Sequence, residues 1–195
     1  DIVLRDLGAR LPRLTELKMN SSNVRSFRDL GTSFGNLTVL WLARSNVLEL
    51  DGVGSLTHIK ELYLAFNEVA DLSPLAGCEE LEALDLEGNQ VAAPADAHFL
   101  AACARLTALT LDGNPAAKHP GYRRDVLASL SQLAVLDDVE RAADDGASAD
   151  ARADATAPAP PGAAEHAAAR SDAAAEHAAG AAGAAGAAAD LDELL

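Results

Sequence analysis

Ile59-Lys60-Glu61-Leu62-Tyr63-Leu64-Ala65-Phe66-Asn67-Glu68-Val69 is followed 22 residues on by Leu81-Glu82-Ala83-Leu84-Asp85-Leu86-Glu87-Gly88-Asn89-Gln90-Val91. In both stretches aliphatic residues hold the first, fourth, sixth and eleventh positions and asparagine the ninth. Earlier copies run through Leu14, Leu17, Met19, Ser22 and Val24, then Leu37, Leu40, Leu42, Ser45 and Val47. A fifth has Leu106, Leu109, Leu111 and Asn114. First positions are 23, 22, 22 and 25 residues apart, a period that marks a stacked-repeat architecture.

The fourth and sixth positions form a short strand with two inward side chains, by the two-residue alternation of extended backbone. The ninth position sits inside the turn, where an amide can bond the backbone of its own coil and the next. Asn67, Asn89 and Asn114 fill that slot, and Ser22 and Ser45 replace them with a shorter hydroxyl, which makes the first two repeats the looser ones. The return path is apolar every third residue, as in Val47, Leu50, Val53 and Leu56, which suits 3₁₀ or short helical turns. After Ala92-Ala93, Pro94 opens a longer segment through Phe99, Leu100 and Cys103, read as a true helical turn. No repeat can bury both sides alone, so neighbours supply the core. The expected fold is an α/β solenoid: a curved parallel sheet on the concave side and short helical turns on the convex side.

Residues 1–13 read as a partial repeat or cap, 14–114 as five repeats, and 115–141 as a C-terminal cap. In the cap an amphipathic helix (Val126, Leu127, Leu130) precedes an extended segment through Leu133 and Leu136 to Asp137-Asp138. From Ala142 to Leu195, 26 of 54 residues are alanine, which is why the 49% hydrophobic content overstates the core. That acidic, alanine-rich tail has too little large apolar surface to offset its ordering entropy, so disorder is expected there. Within it Ala163–Ala179 has helical propensity, and Leu191-Asp192-Glu193-Leu194-Leu195 has the form of a short docking motif.

Thirty acids against 15 Lys and Arg give a net charge of −15. Binding to a phosphate backbone draws on clustered cations, and none cluster here, so neither nucleic acid nor membrane is an expected partner. No apolar run approaches the length of a bilayer span. Residues preceding Asp1 are expected, since the chain does not start at Met, and the lack of a leader-like segment points to the cytoplasm. Cys78 and Cys103 each lie three residues before a repeat's first leucine, so they should stack as buried structural thiols. There is no phosphate loop, nucleophile elbow or metal-spaced His/Cys pair. An enzyme is not expected, nor a catalytic residue, metal or cofactor.

The alternation points the third, fifth, seventh and eighth side chains of each repeat out of the concave sheet. Trp41 and Tyr63 then stand side by side, with Arg44 and Phe66 in the neighbouring row. Aromatics and arginine are the side chains that protein interfaces favour as anchors. Asp85, Glu87 and Asp112 continue the face as an acidic strip suited to a basic partner segment. Trp41, Arg44, Tyr63, Phe66, Asp85 and Glu87 are therefore the candidate protein-binding residues.

The chain resembles the 22-residue class of leucine-rich repeats, with the terminator Asn114-Pro115, Tyr122-Arg123 and Leu136-Asp137-Asp138. That class includes the phosphatase-one regulatory subunit, the spliceosomal A-prime protein and several axonemal proteins. Arg28-Asp29-Leu30-Gly31-Thr32-Ser33 and Val39-Leu40-Trp41-Leu42-Ala43-Arg44 lie at variable positions, and with Lys60–Tyr63, Asp71–Leu75 and Leu84–Asn89 they resemble the leucine-rich repeat-containing protein 56 family. The likeness spans Leu7 to Val139. It implies a non-enzymatic scaffold or adaptor in the cytoplasm and cilium or flagellum, serving assembly or intraflagellar transport of outer dynein arms. Outer-arm dynein or transport subunits would be its partners. The alternatives are a phosphatase-regulatory subunit and an RNA-processing scaffold. The resemblance brings no mapped binding residues.

Overall fold

The computed structural model describes residues 10–142 together with positions 8 and 145. The chain divides into two units, 1–156 and 157–195. The second unit, and with it the expected disorder, helical propensity and docking motif of the tail, lies outside the described residues.

Each repeat contributes one three-residue strand: β1 (Glu16–Lys18), β2 (Val39–Trp41), β3 (Glu61–Tyr63), β4 (Ala83–Asp85) and β5 (Ala108–Thr110). They pair in sequence order and in parallel, followed by β6 (Val135–Leu136) and the antiparallel β7 (Val139–Glu140). The register holds like positions side by side, so Leu17, Leu40, Leu62, Leu84, Leu109 and Leu136 form one continuous row. From Leu40 onward that row is at most 1% exposed. Burying each such leucine contributes roughly 1.5–3 kcal/mol.

The opposite wall of the core is built from 3₁₀ turns at Phe27–Leu30, Val53–Ser55, Ser73–Gly77, Pro94–Ala102 and Pro115–Lys118. The three-residue apolar spacing matches three residues per turn, which places Val53, Leu56, Leu72 and Leu75 inward at 2% exposure or less. The Pro94 segment is the longest, and Pro94 does stand at its first turn, but it stays 3₁₀ throughout rather than forming an α-helix. Its inward residues, Ala97, Leu100 and Cys103, keep the three-residue spacing, whereas an α-helix would rotate the third out of line.

Inside the turns runs a ladder of amides. Asn67 Oδ1 accepts from the N–H groups of Ser45 (2.8 Å) and Val47 (3.0 Å), while Nδ2 donates to the carbonyls of Leu42 and Leu64 (both 2.8 Å). Asn89 and Asn114 repeat both carbonyl contacts one and two coils on, each taking one N–H, from Val69 and Val91 respectively. Ser45 carries it toward the N-terminus, its hydroxyl donating to Met19 O at 3.0 Å and accepting from Ser22 N at 3.2 Å. Asn20, on the concave side, adds a contact that the repeat pattern did not indicate, its Oδ1 accepting from Ala43 N at 2.9 Å.

Helix α1 (Tyr122–Ser129) and the β6–β7 hairpin close the C-terminal end. Asp137 supplies with its carboxylate what the next strand's carbonyl supplies in earlier coils (Leu86 N to Thr110 O), its Oδ1 accepting from Leu111 N (2.7 Å) and Asp112 N (3.0 Å) and its Oδ2 from the Tyr122 hydroxyl (2.8 Å). Asp137 and Asp138, with φ of 51° and 61°, form the two-residue turn of the hairpin, where both positions need a left-handed backbone. Arg123 donates to the carbonyls of Leu136, Val139 and Glu140, and Arg141 to those of Leu127, Leu130 and Ser131 at the helix end.

Candidate protein-binding face

Trp41 and Tyr63 are register partners on β2 and β3, on the opposite pleat to the leucine row. Their rings stack with centroids 5.5 Å apart and planes within 5° of parallel. Trp41 is half-buried, but Tyr63, expected to face solvent, is only 3% exposed. Its ring is flanked by Trp41 on one side and by its register partner Asp85 on the other, and its hydroxyl donates to Glu61 Oε2 at 2.7 Å. Asp85 is likewise 3% exposed rather than solvent-facing, and its Oδ1 accepts from Glu87 N at 2.9 Å. Strands about 4.8 Å apart leave little room between like positions, so a large ring at one covers its neighbours. Of the acidic strip, Glu87 is half-buried and Asp112 exposed.

Arg44 and Phe66 stand three residues beyond the ends of β2 and β3. Their residues have φ of 55° and 57°, in a column with Ser21 (57°), Gly88 (64°) and Gly113 (74°). The left-handed backbone costs a side-chain-bearing residue roughly 1–2 kcal/mol, so repeats four and five use glycine while two and three retain bulk. The guanidinium carbon of Arg44 lies 4.2 Å from the Phe66 ring centroid, a cation–π contact. On its other side Phe66 rests on Gly88, where a Cβ would come within 2.7 Å of Phe66 Cδ1. Phe66 stays 37% exposed, whereas the smaller concave residues Ala43, Ala65, Ala83 and Ala108 lie at 8% or below. The left-handed column is legible only in its glycines; nothing in the repeat pattern marks Arg44 and Phe66 as sharing it.

The remaining chemistry-bearing groups lie elsewhere. Cys78 and Cys103 are buried behind the sheet, and Cys103 Sγ lies 3.2 Å from Leu75 O. Burial raises both thiols, Cys103 to about 11 and Cys78, with Cys103 beside it, to about 12, so neither is a thiolate near neutrality. His58 lies 3.7 Å from Glu80 and Lys60 3.1 Å from Glu82, both along the flank of the sheet. Among the described residues no group of three His, Cys, Asp or Glu could hold a metal ion, and no helix is long and apolar enough to cross a membrane.

Parallel one-strand coils, an amide ladder and 3₁₀ backing define a leucine-rich-repeat solenoid, and the family pattern "Leucine-rich repeat" matches residues 11–154: the chain belongs to the leucine-rich-repeat family. Within it, the chain is 47% identical over 151 residues to leucine-rich repeat-containing protein 56 of Homo sapiens, covering 71% of this chain and 28% of that protein. The mouse protein of the same name gives 47% over 148 residues (70% and 27%). The Trypanosoma brucei brucei homolog gives 37% over 90 residues (45% and 12%). The chain thus spans less than a third of the curated relatives it matches. Among solved structures it is similar to a chain of the Drosophila melanogaster SNF/U2A' complex, with TM-score 0.56, 20% identity, and 67% of this chain and 75% of that one covered. An internalin C2 of Listeria monocytogenes gives TM-score 0.51 and 26% identity, over 66% and 53%.

Proposed function

We propose that this solenoid is a non-enzymatic scaffold that holds a protein partner across its concave face, in the service of outer dynein arm assembly or intraflagellar transport in the cytoplasm and cilium. The observation that carries the docking role is the aromatic group itself. Trp41 stacked on Tyr63, with Phe66 held out of a left-handed turn beside it, places three of the chain's seven aromatics on one surface. Tyr63 is covered, but half-buried Trp41 and Phe66, at 37%, leave aromatic area open, and such area is retained where something covers it. The ciliary role rests on the resemblance to the leucine-rich repeat-containing protein 56 family, which the 47% identity supports. The likeness to the spliceosomal complex chain, at 20% identity, speaks to fold alone and adds nothing to the RNA-processing alternative.

The test is recovery of outer-arm dynein or transport subunits from ciliated cells with tagged wild type and with Trp41→Ala/Phe66→Ala. Loss of one central aromatic anchor costs about 2 kcal/mol or more of binding free energy, so recovery should collapse while the unfolding midpoint barely moves. Equal recovery with an intact fold would remove the concave aromatics from the interface.

A further inference from the structure

Arg44 is an oddity in so acidic a chain. Its Nε is buried and has no hydrogen-bond partner, and its contact is the face of Phe66. Among the described residues it belongs to no ion pair, although Arg28, Arg123 and Arg124 all find carboxylates. A cation partly withdrawn from water and given only an aromatic face is held ready for an acceptor, and a carboxylate suits the planar fork best. Further along the solenoid the charge reverses, with Glu87 in repeat four and exposed Asp112 in repeat five, each one residue before the glycine that continues the column of Arg44 and Phe66. Phe66 lies between the two, resting on Gly88.

We infer that the docking face reads an extended partner segment of the form acid–x–apolar–x–base, laid along the solenoid axis from Arg44 over Phe66 to Glu87 and Asp112. The inference rests on the docking role proposed above and adds the partner's chemistry. Strand spacing sets the register. Repeat two to repeat five is three steps of about 4.8 Å, about 14 Å in all, and four residues of extended chain span about 13 Å. Alternate side chains of an extended segment share a face, so positions i, i+2 and i+4 all look down onto the rim. The carboxylate at i forks onto Arg44, the apolar side chain at i+2 covers Phe66, and the cation at i+4 lies against Glu87 and Asp112. A purely basic segment would leave Arg44 without its acceptor, and a purely acidic one would meet like charge at repeats four and five.

Trp41 is the chain's one tryptophan and stands beside this rim, so its fluorescence reports binding without a label. The probes are three capped, tryptophan-free peptides, Glu-Thr-Leu-Thr-Lys, Lys-Thr-Leu-Thr-Lys and Glu-Thr-Leu-Thr-Glu, titrated to millimolar concentration into the full chain. The mixed-charge peptide should bind wild type about fivefold tighter than either other one. Arg44→Glu should shift the preference to the all-basic peptide, and Asp112→Lys, which leaves Glu87 beside the new cation, should erase the advantage over the all-acidic one. Both sites are on the surface rim, and an unchanged thermal midpoint separates these effects from misfolding. Equal or tighter binding of the all-basic peptide to wild type would overturn the register, as would a preference unchanged from wild type in both variants. Absence of any response to all three peptides would overturn it too, and would leave the docking role to the recovery experiment above.

Discussion

Asn67 shows how much of this fold one side chain can carry. Its carboxamide takes two buried N–H groups and two buried carbonyls from its own coil and the one before it. Alanine there would strand those groups away from water, at about 2–4 kcal/mol in urea unfolding. Serine should cost less, because Ser45 already spans the same slot with a hydroxyl donated to Met19 O. A loss for Asn67→Ala no larger than for Asn67→Ser would mean that the turn relaxes to bond itself. The buried thiols behind the sheet carry no such role, with the Cys103 S–H donating a weak hydrogen bond to the Leu75 carbonyl and packing as a small apolar group.

At the scale of elements, the cap repeats the logic of a coil with different residues. Asp137 accepts with its carboxylate where a strand carbonyl accepts in earlier coils, and because that group offers acceptors only, the Tyr122 hydroxyl supplies a further donor. Burial first, and then the charge and hydrogen bond of Asp137, push the Tyr122 hydroxyl well above its ordinary value. The folded state holds the phenolic proton more tightly than the unfolded chain, so its contribution is full below about pH 10 and is lost as pH rises toward the elevated folded value. Tyr122→Phe should therefore cost about 1–2 kcal/mol near neutrality, the worth of the lost hydrogen bond. Its thermal midpoint should also fall less steeply than that of wild type above pH 10. The raised thiols share that sign in both proteins, so the comparison between them isolates Tyr122. Parallel pH profiles would mean that the phenol does not sense Asp137.

For the whole molecule, stability is shared between neighbours, since each coil buries its leucines only against the next. Ending the chain after Asn114 would uncover Leu106, Leu109 and Leu111, which α1 and the hairpin now help seal at 1% exposure or less. Size-exclusion chromatography of that truncation should show self-association or aggregation, and a stable monomer would mean that the fifth coil needs no cover. The repeat, its register, the inward leucines, the amide slot and the 3₁₀ backing were all legible in residue order, because each depends on spacing within one coil or on like positions meeting like. The neighbourhood of Trp41 and Tyr63 followed from the same rule.

Three features depended on the folded molecule. Tyr63 and Asp85 lie covered on a face that alternation alone marks as open, because coverage depends on the bulk of side chains a full repeat away. Arg44 and Phe66 share a left-handed column with two glycines, a backbone conformation that no side-chain pattern encodes in residues free to adopt others. Asp137 gained its N–H donors only when chain 26 positions earlier came within reach of its carboxylate. Periodicity is a local property and survives in one dimension. Exposure, backbone strain and the pairing of a carboxylate with distant N–H groups are properties of distances through space, and they exist once the coils have stacked.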